Sequence, residues 1–261
     1  MTFTKADFNL WLGDNLYFRE ADYSSVAGMQ YRYSYQRRVP EMAELLAKRP
    51  NYAIWDDHDY GPNDANQTFE LRNESMQLFK NYWGNKSYGE ANNDGIYSKF
   101  SWSDCDFFLT DDRSHRSPNG LKDSIAGKPN CEKDFFGYAQ LTWLKNSLLT
   151  SNATFKFVCV GSQVLNPMNG NECVRNFPCE YNDLLSFIVT YKIPGVVFLS
   201  GDRHFSEVIS FQPKGGYKLY DITASPFSSK AYDLSQSPEL KNPSRVDGTL
   251  VMDNNYDLIT V

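Results

Sequence analysis

No stretch of this 261-residue chain approaches the roughly 20 uninterrupted apolar residues that span a bilayer. No secretory leader is legible either, because Asp7 and Asn9 interrupt Met1–Leu12 where an apolar core belongs. The five cysteines include no CxxC pair, which removes zinc-ribbon and thioredoxin readings. A GxxxxGK loop is missing, and with it a P-loop nucleotide hydrolase. GxSxG is missing too, so a serine hydrolase of the usual α/β type has no nucleophile elbow. There is no repeat at a fixed period, no low-complexity tract and no clear linker. Lys and Arg number 26 against 32 Asp and Glu, so no broad positive field is available to a nucleic-acid backbone. A local anion site remains compatible with that balance if metals supply the positive charge.

What is present suits one globular α/β domain over residues 1–261. Hydrophobic residues at 41% and charged residues at 22% exclude disorder and collagen. A chain of this length makes a core without needing a disulfide. Cys173 and Cys179 are close enough in sequence to pair across a loop, and Cys131 could pair with either.

Short apolar runs at Phe8–Leu12, Tyr52–Trp55, Gly95–Phe100, Asp104–Thr110, Phe155–Gly161 and Val196–Ser200 predict strands. Helical spacing predicts helices over Arg37–Lys48, Asn66–Tyr82, Tyr138–Leu149 and Tyr181–Tyr191. Alternating runs at Phe205–Phe211, Tyr217–Ile222, Gly248–Met252 and Leu258–Val261 predict antiparallel strands near the end. Ser114–Asp134 reads as a long surface loop and Val164–Pro178 as a second irregular stretch.

The informative pattern is where the acids fall. Four apolar runs end in carboxylates: at Asp14, at Asp56, Asp57 and Asp59, at Asp111 and Asp112, and at Asp202. In a largely parallel sheet the carboxyl ends of the strands share one edge, where ligands bind. Carboxylates gathered there repel one another unless something positive sits between them, and a metal pair resolves that conflict. Each Gly-Asp alone could simply cap a helix. Asp111 and Asp112 could cap locally or pair with Arg113. The cluster Asp56-Asp57-His58-Asp59 has no comparable packing explanation. His58, His115 and His204 are the only histidines, and all lie beside these strand ends. Such a set suits metal-activated hydroxide attacking phosphorus. Arg203 would fork onto phosphoryl oxygens, with Asn63-Asp64, Arg113 and Arg116 as further anion contacts.

The motifs WLGDNLY (Trp11–Tyr17), YAIWDDHDYGPND (Tyr52–Asp64), FFLTDDRSHR (Phe107–Arg116), FKFVCVGSQVLNP (Phe155–Pro167), VVFLSGDRHFSEV (Val196–Val208) and YDITASPFSS (Tyr220–Ser229) resemble the PhoD-like alkaline phosphatases, within the calcineurin-like metallophosphoesterases. The resemblance runs in order from the first residues to about Ser229. It implies a four-layer α/β/β/α sandwich with a dinuclear centre at the strand ends. It also implies that Asp14 bridges the metals, that Asp57, Asp202 and His204 ligate, and that Tyr17 is an iron ligand. His58 becomes the catalytic imidazole, with Arg203 and Asn63 on the phosphate. The metals implied are iron and calcium, and manganese or zinc would suit the same donors. Substrates implied are small phosphomonoesters, or lipid and nucleotide phosphodiesters, and several members are exported. Members carry a further N-terminal strand with a cysteine ligand, whereas twelve residues precede Gly13 here and none is Cys. The resemblance therefore implies either a shortened form of a longer protein or an incomplete centre. A non-catalytic binding module that kept the edge residues is the alternative function. A paired-carboxylate glycosidase would explain neither Arg203 nor the histidines.

Overall fold

The computed structural model describes residues 5–170 and 172–261; the first four residues of the Met1–Leu12 segment and Asn171 of the Val164–Pro178 stretch lie outside them. In chain order the elements are β1 (Asn9–Leu12), α1 (Glu20–Tyr23), α2 (Val26–Arg38), α3 (Pro40–Ala47), β2 (Asn51–Ile54), α4 (Asp57–Tyr60), α5 (Arg72–Tyr82), β3 (Ser98–Trp102) and β4 (Cys105–Leu109). There follow β5 (Ser124–Ile125), β6 (Lys128–Pro129), α6 (Tyr138–Thr150), β7 (Phe155–Val160), α7 (Pro178–Thr190), β8 (Val196–Ser200), β9 (Glu207–Phe211) and β10 (Leu219–Thr223).

β1 and β2 pair in parallel as one small sheet, and a second sheet has the order β3-β4-β7-β8-β10-β9. Its inner strands β4, β7, β8 and β10 are parallel, while β3 and β9 run antiparallel at the edges. Strand alternation sorts the large sheet's side chains to two faces. Phe107, Leu109, Phe157, Cys159 and Leu199 join β2, α2 and α5 in one core. Phe108, Val158, Val160 and Phe198 join α6 and α7 in the other. The result is the α/β/β/α layering implied by the motifs. Between the sheets the aromatic rings of Phe100, Phe107 and Phe157 stack at 4.7 and 5.0 Å, with Phe8 against Phe107 edge-on at 5.2 Å.

Several boundaries differ from the sequence expectation, each for a local reason. The helix expected over 37–48 is two helices, because Val39 adopts an extended conformation and Pro40 starts α3 at its first position. The preceding α2, capped by Ser25 accepting from the Gly28 N–H, lacks an apolar stripe and was not legible. Asn66–Leu71 does not belong to α5: the Asn66 side chain accepts from the Thr68 N–H and holds a turn there. Pro178, expected to end an irregular stretch, instead opens α7. Near the C-terminus, 248–252 and 258–261 form no ladder; Val251 meets Ser206 in a single bridge. The Thr249 hydroxyl accepts the Val208 N–H where a neighbouring strand's carbonyl would.

The disulfide is Cys131–Cys179, with Cα atoms 5.2 Å apart, and the Cys173–Cys179 pairing is excluded. Cys173 is buried, with its thiol on the Asn166 carbonyl, while Cys179 sits at the start of α7 facing the Cys131 loop. Among the described residues, no helix is long and apolar enough to cross a membrane.

The stacked rings make a direct test of the inter-sheet contact. Phe107→Ala is expected to cost about 3–5 kcal/mol in urea unfolding, since it opens a void between two sheets that cannot close on it. A loss below about 1 kcal/mol would mean that the layers repack freely.

Candidate active site

Strands end where the acids begin. The ends of β1, β2 and β8 are brought together by close backbone approach. A side chain at Gly13 (φ +91°) would put its Cβ 2.7 Å from the Asp56 Cβ, and one at Gly201 would lie 2.5 Å from the Leu12 carbonyl. Asp14, Asp202 and His204 then take left-handed backbone conformations, at φ 49°, 67° and 56°. Non-glycine residues reach that region at a cost of about 1–2 kcal/mol each, and such strain collects at functional sites.

The tight helix α4 divides the Asp56–Asp59 cluster. Asp57 and His58 face the crevice: with Asp14 they bring ligand atoms within 4.8 Å of one another. The Asp14 carboxylate accepts the His58 backbone N–H at 3.2 Å. Asp59 turns inward, accepting from the Asn15 side chain at 2.7 Å and from the Asp56 N–H at 2.7 Å. Asp56 is fully buried and accepts from the Arg113 guanidinium, through Nε at 2.6 Å and through Nη2.

Tyr17 and His204 close the opposite side. The Tyr17 ring lies 4.4 Å from that of His58, and its hydroxyl is 3.1 Å from His204 Nε2. His204 Nδ1 is 2.8 Å from the Lys230 carbonyl, so the proton belongs on Nδ1 and Nε2 accepts from Tyr17. Burial lowers the His204 pKa, which favours the neutral ring. Burial and the Asp14 carboxylate raise the Tyr17 hydroxyl, so a phenolate would require a nearby cation.

Arg203 pairs with Glu239 at 2.6 Å and lies 3.9 Å from Asp202, while its Nε is buried without a hydrogen-bond partner. Asn63 is exposed, donating to Asp64 at 2.8 Å.

Other expected contacts are elsewhere. Arg113 and Arg116, expected to face an anion, are fully buried and both pair with Glu172, at 3.0 and 2.9 Å. Asp111 builds a turn, accepting from Trp55 Nε1 at 2.9 Å and from the Arg113 and Ser114 N–H groups. His115 bonds the Asp94 carbonyl and takes no part in the trio. Sequence reading missed Glu172, Asn119, Glu239 and Lys230. Glu172 and Asn119 lie in stretches without periodicity, and only their polarity marks them.

The donors fit metal ions. Burial and then neighbouring carboxylates push Asp14 and Asp202 well above the ordinary carboxylate range. One oxygen each of buried Asp56 and Asp112 has no hydrogen-bond partner. Carboxylate oxygens with imidazole suit calcium, manganese, zinc or iron.

The sequence matches the model of the PhoD-like phosphatases over residues 1–256. Among solved structures, the fold is similar to one described as the structure of PhoD, with TM-score 0.81 and 18% identity. That match covers 98% of this chain but 58% of the other, so this chain spans little more than half of that protein. A purple acid phosphatase, PPD1 from seeds of yellow lupin (Lupinus luteus), gives TM-score 0.51 at 10% identity, over 83% of this chain and 36% of that one. No curated protein matches the sequence.

The buried ion cluster has a pH signature. Burial alone would raise Glu172, but Arg113 and Arg116 outweigh it and hold the carboxyl at about 2. A depressed carboxyl contributes stability above its unfolded value and loses it as pH falls through that value toward about 2. Glu172→Gln is therefore expected to flatten stability against pH in this acid window, read by circular dichroism. An unchanged slope would show that the pairing does not depend on the Glu172 charge.

Proposed function

The chain belongs to the PhoD-like phosphatase family, and from that premise we propose that it hydrolyses phosphoric esters at its acidic strand ends, with two cations as cofactors. The observation that carries the reading is the trio of Asp14, Asp57 and His58. Residues from two different strand ends present donor atoms within 4.8 Å, beside a crowd of like-charged groups.

Asp14 would be shared between the cations, with Asp57 and Asp202 as further carboxylate ligands and His204 and Tyr17 on the far side. A ferric ion beside Tyr17 and calcium at the carboxylates is the pairing proposed, with manganese or zinc as substitutes. When bound, such ions neutralise the carboxylates, polarise the phosphoryl group and acidify water.

The residues of the chain do the rest. Water adds to phosphorus, the ester P–O bond breaks, and the leaving oxygen takes up a proton. His58 is placed to deliver that proton. The partnerless Nε of Arg203 supplies a buried donor for a phosphoryl oxygen, and Asn63 offers a second amide at the rim. His204 stays neutral and fixed by Lys230, which holds the Tyr17 hydroxyl in place. Monoesters and diesters, including nucleotide and lipid esters, are the proposed substrates. The aperiodic stretches that carry Asn119 and Glu172 would select among them.

A second reading, a binding module without turnover, draws on the Tyr17–His204 hydrogen bond, which occupies both groups with each other. Elemental analysis separates the two: two metal equivalents per chain favour the enzyme, one or none the module. Asp14→Asn and His58→Ala are each expected to lower turnover of aryl phosphate mono- and diesters by about two orders of magnitude or more, as loss of a ligand or a general acid does. Near-parent activity of either variant in metal-replete buffer, with the circular dichroism spectrum retained, would remove the assignment.

A further inference from the structure

Next to the Asp14–Asp57–His58 trio lies a second carboxylate group that shares Asp57 with it and adds Asp64 and Glu172, which the proposed reaction does not use. Asp57, Asp64 and Glu172 bring oxygens within 4.8 Å of one another. They come from α4, from the turn after it, and from the segment leading into α7. Carboxylates this close repel unless donors lie between them.

Asn119 supplies the shared donor. Its Nδ2 donates to Asp64 Oδ1 at 2.9 Å and to Glu172 Oε1 at 3.1 Å. Its Oδ1 accepts from Arg116, through Nη2 at 2.8 Å and Nε at 3.3 Å, which fixes the amide's orientation. Asp64, held at φ 59°, then donates its backbone N–H to Asp57 Oδ2 at 2.7 Å. A chain of contacts thus runs from Asn119 through Asp64 to Asp57.

The wall that carries Asn119 has little burial to hold it, since residues 120–129 are all exposed. It is pinned at its base by the Ser117 N–H on the Asp134 carbonyl at 2.8 Å. It is tied covalently by Cys131–Cys179 to the start of α7. Glu172 sits just ahead of that helix. The disulfide and the Asn119–Glu172 bond therefore cross-link the same two segments, one beside the base at Asp134 and one at the candidate site.

We propose that Asn119 is a positioning residue for the Asp57 carboxylate, and that the Cys131–Cys179 bond keeps its wall within reach. The inference rests on the cation-site reading given above. Glu172 already carries Arg113 and Arg116, so what the amide adds is the tie to Asp64: without it the left-handed turn at Asp64 relaxes and Asp57 loses its orientation.

Calorimetric titration with Mn²⁺, paired with hydrogen exchange over residues 117–131, tests this in the full chain. Asn119→Leu, which keeps the volume but not the amide, is expected to bind Mn²⁺ about tenfold more weakly, the usual effect of losing a partner that orients a ligand. Asn119→Gln retains an amide and should recover part of that loss, which a merely structural role would not predict. The double variant Cys131→Ser with Cys179→Ser should exchange faster over 117–131 and bind Mn²⁺ more weakly than the parent. Parent-like Mn²⁺ affinity in Asn119→Leu, or unchanged exchange in the double serine variant, overturns the proposal while leaving the cation site standing. A parent that binds no Mn²⁺ overturns both.

Discussion

Charge of one sign, delivered by several strands to one crevice, sets the terms for the rest of the molecule. The charged groups acting on Asp14 are Asp57, Asp56, Asp59 and Asp202, all carboxylates like itself. On the inner side the protein answers with its own cations. Arg113, fully buried, places Nε and Nη2 on Asp56 and Nη1 on Glu172 and the Ala65 carbonyl. Burying a charge costs several kcal/mol of desolvation, and only such complete pairing offsets it. On the crevice side the carboxylates of Asp14 and Asp202 lie beyond that network, and their raised pKa values express the same crowding. The division between an arginine-paired layer and an outward-facing one is what suits the crevice to cations.

Packing serves that division. Across the gap between the sheets Tyr52 of β2 stacks on Phe100 of the larger sheet at 3.7 Å, so the two layers meet through packed rings. The close contact of Gly201 with the Leu12 carbonyl registers the two sheets at their carboxyl ends. Left-handed backbone at Asp14, Asp64, Asp202 and His204 then turns four polar side chains where extended backbone would carry them past one another. This strain is tolerable because the surrounding layers are closely packed.

Much of the candidate site was legible because its signal is local. A buried run closed within two residues by Asp marks a strand end whatever the rest of the chain does, which singled out Asp14, Asp56–Asp59, Asp111–Asp112 and Asp202, while the choice of Asp14, Asp57 and Asp202 as candidate ligands came from the motifs. Tyr17, His58 and His204 followed from the motifs containing them. The buried side of the network was not legible. Arg113 and Arg116 read in sequence as anion contacts, and Glu172, arriving from some 60 residues later on an aperiodic segment, together with Asp56 on Arg113, holds them inside instead. The same distance effect misled the disulfide reading, since nearness in sequence favoured Cys173 as the partner of Cys179 while the fold supplied Cys131.

By itself the sequence determined the α/β class, the strands that end in acid and the chemistry that such ends invite. Short-range patterning suffices for these, because a strand's period and its terminal residue belong to neighbouring positions. The tertiary structure alone decided which carboxylates face inward to arginine and which face the crevice. That choice depends on which distant segment fills each strand end, and helix α4 parts Asp56 and Asp59 from Asp57 and His58 only once β1 and Glu172 have closed around it.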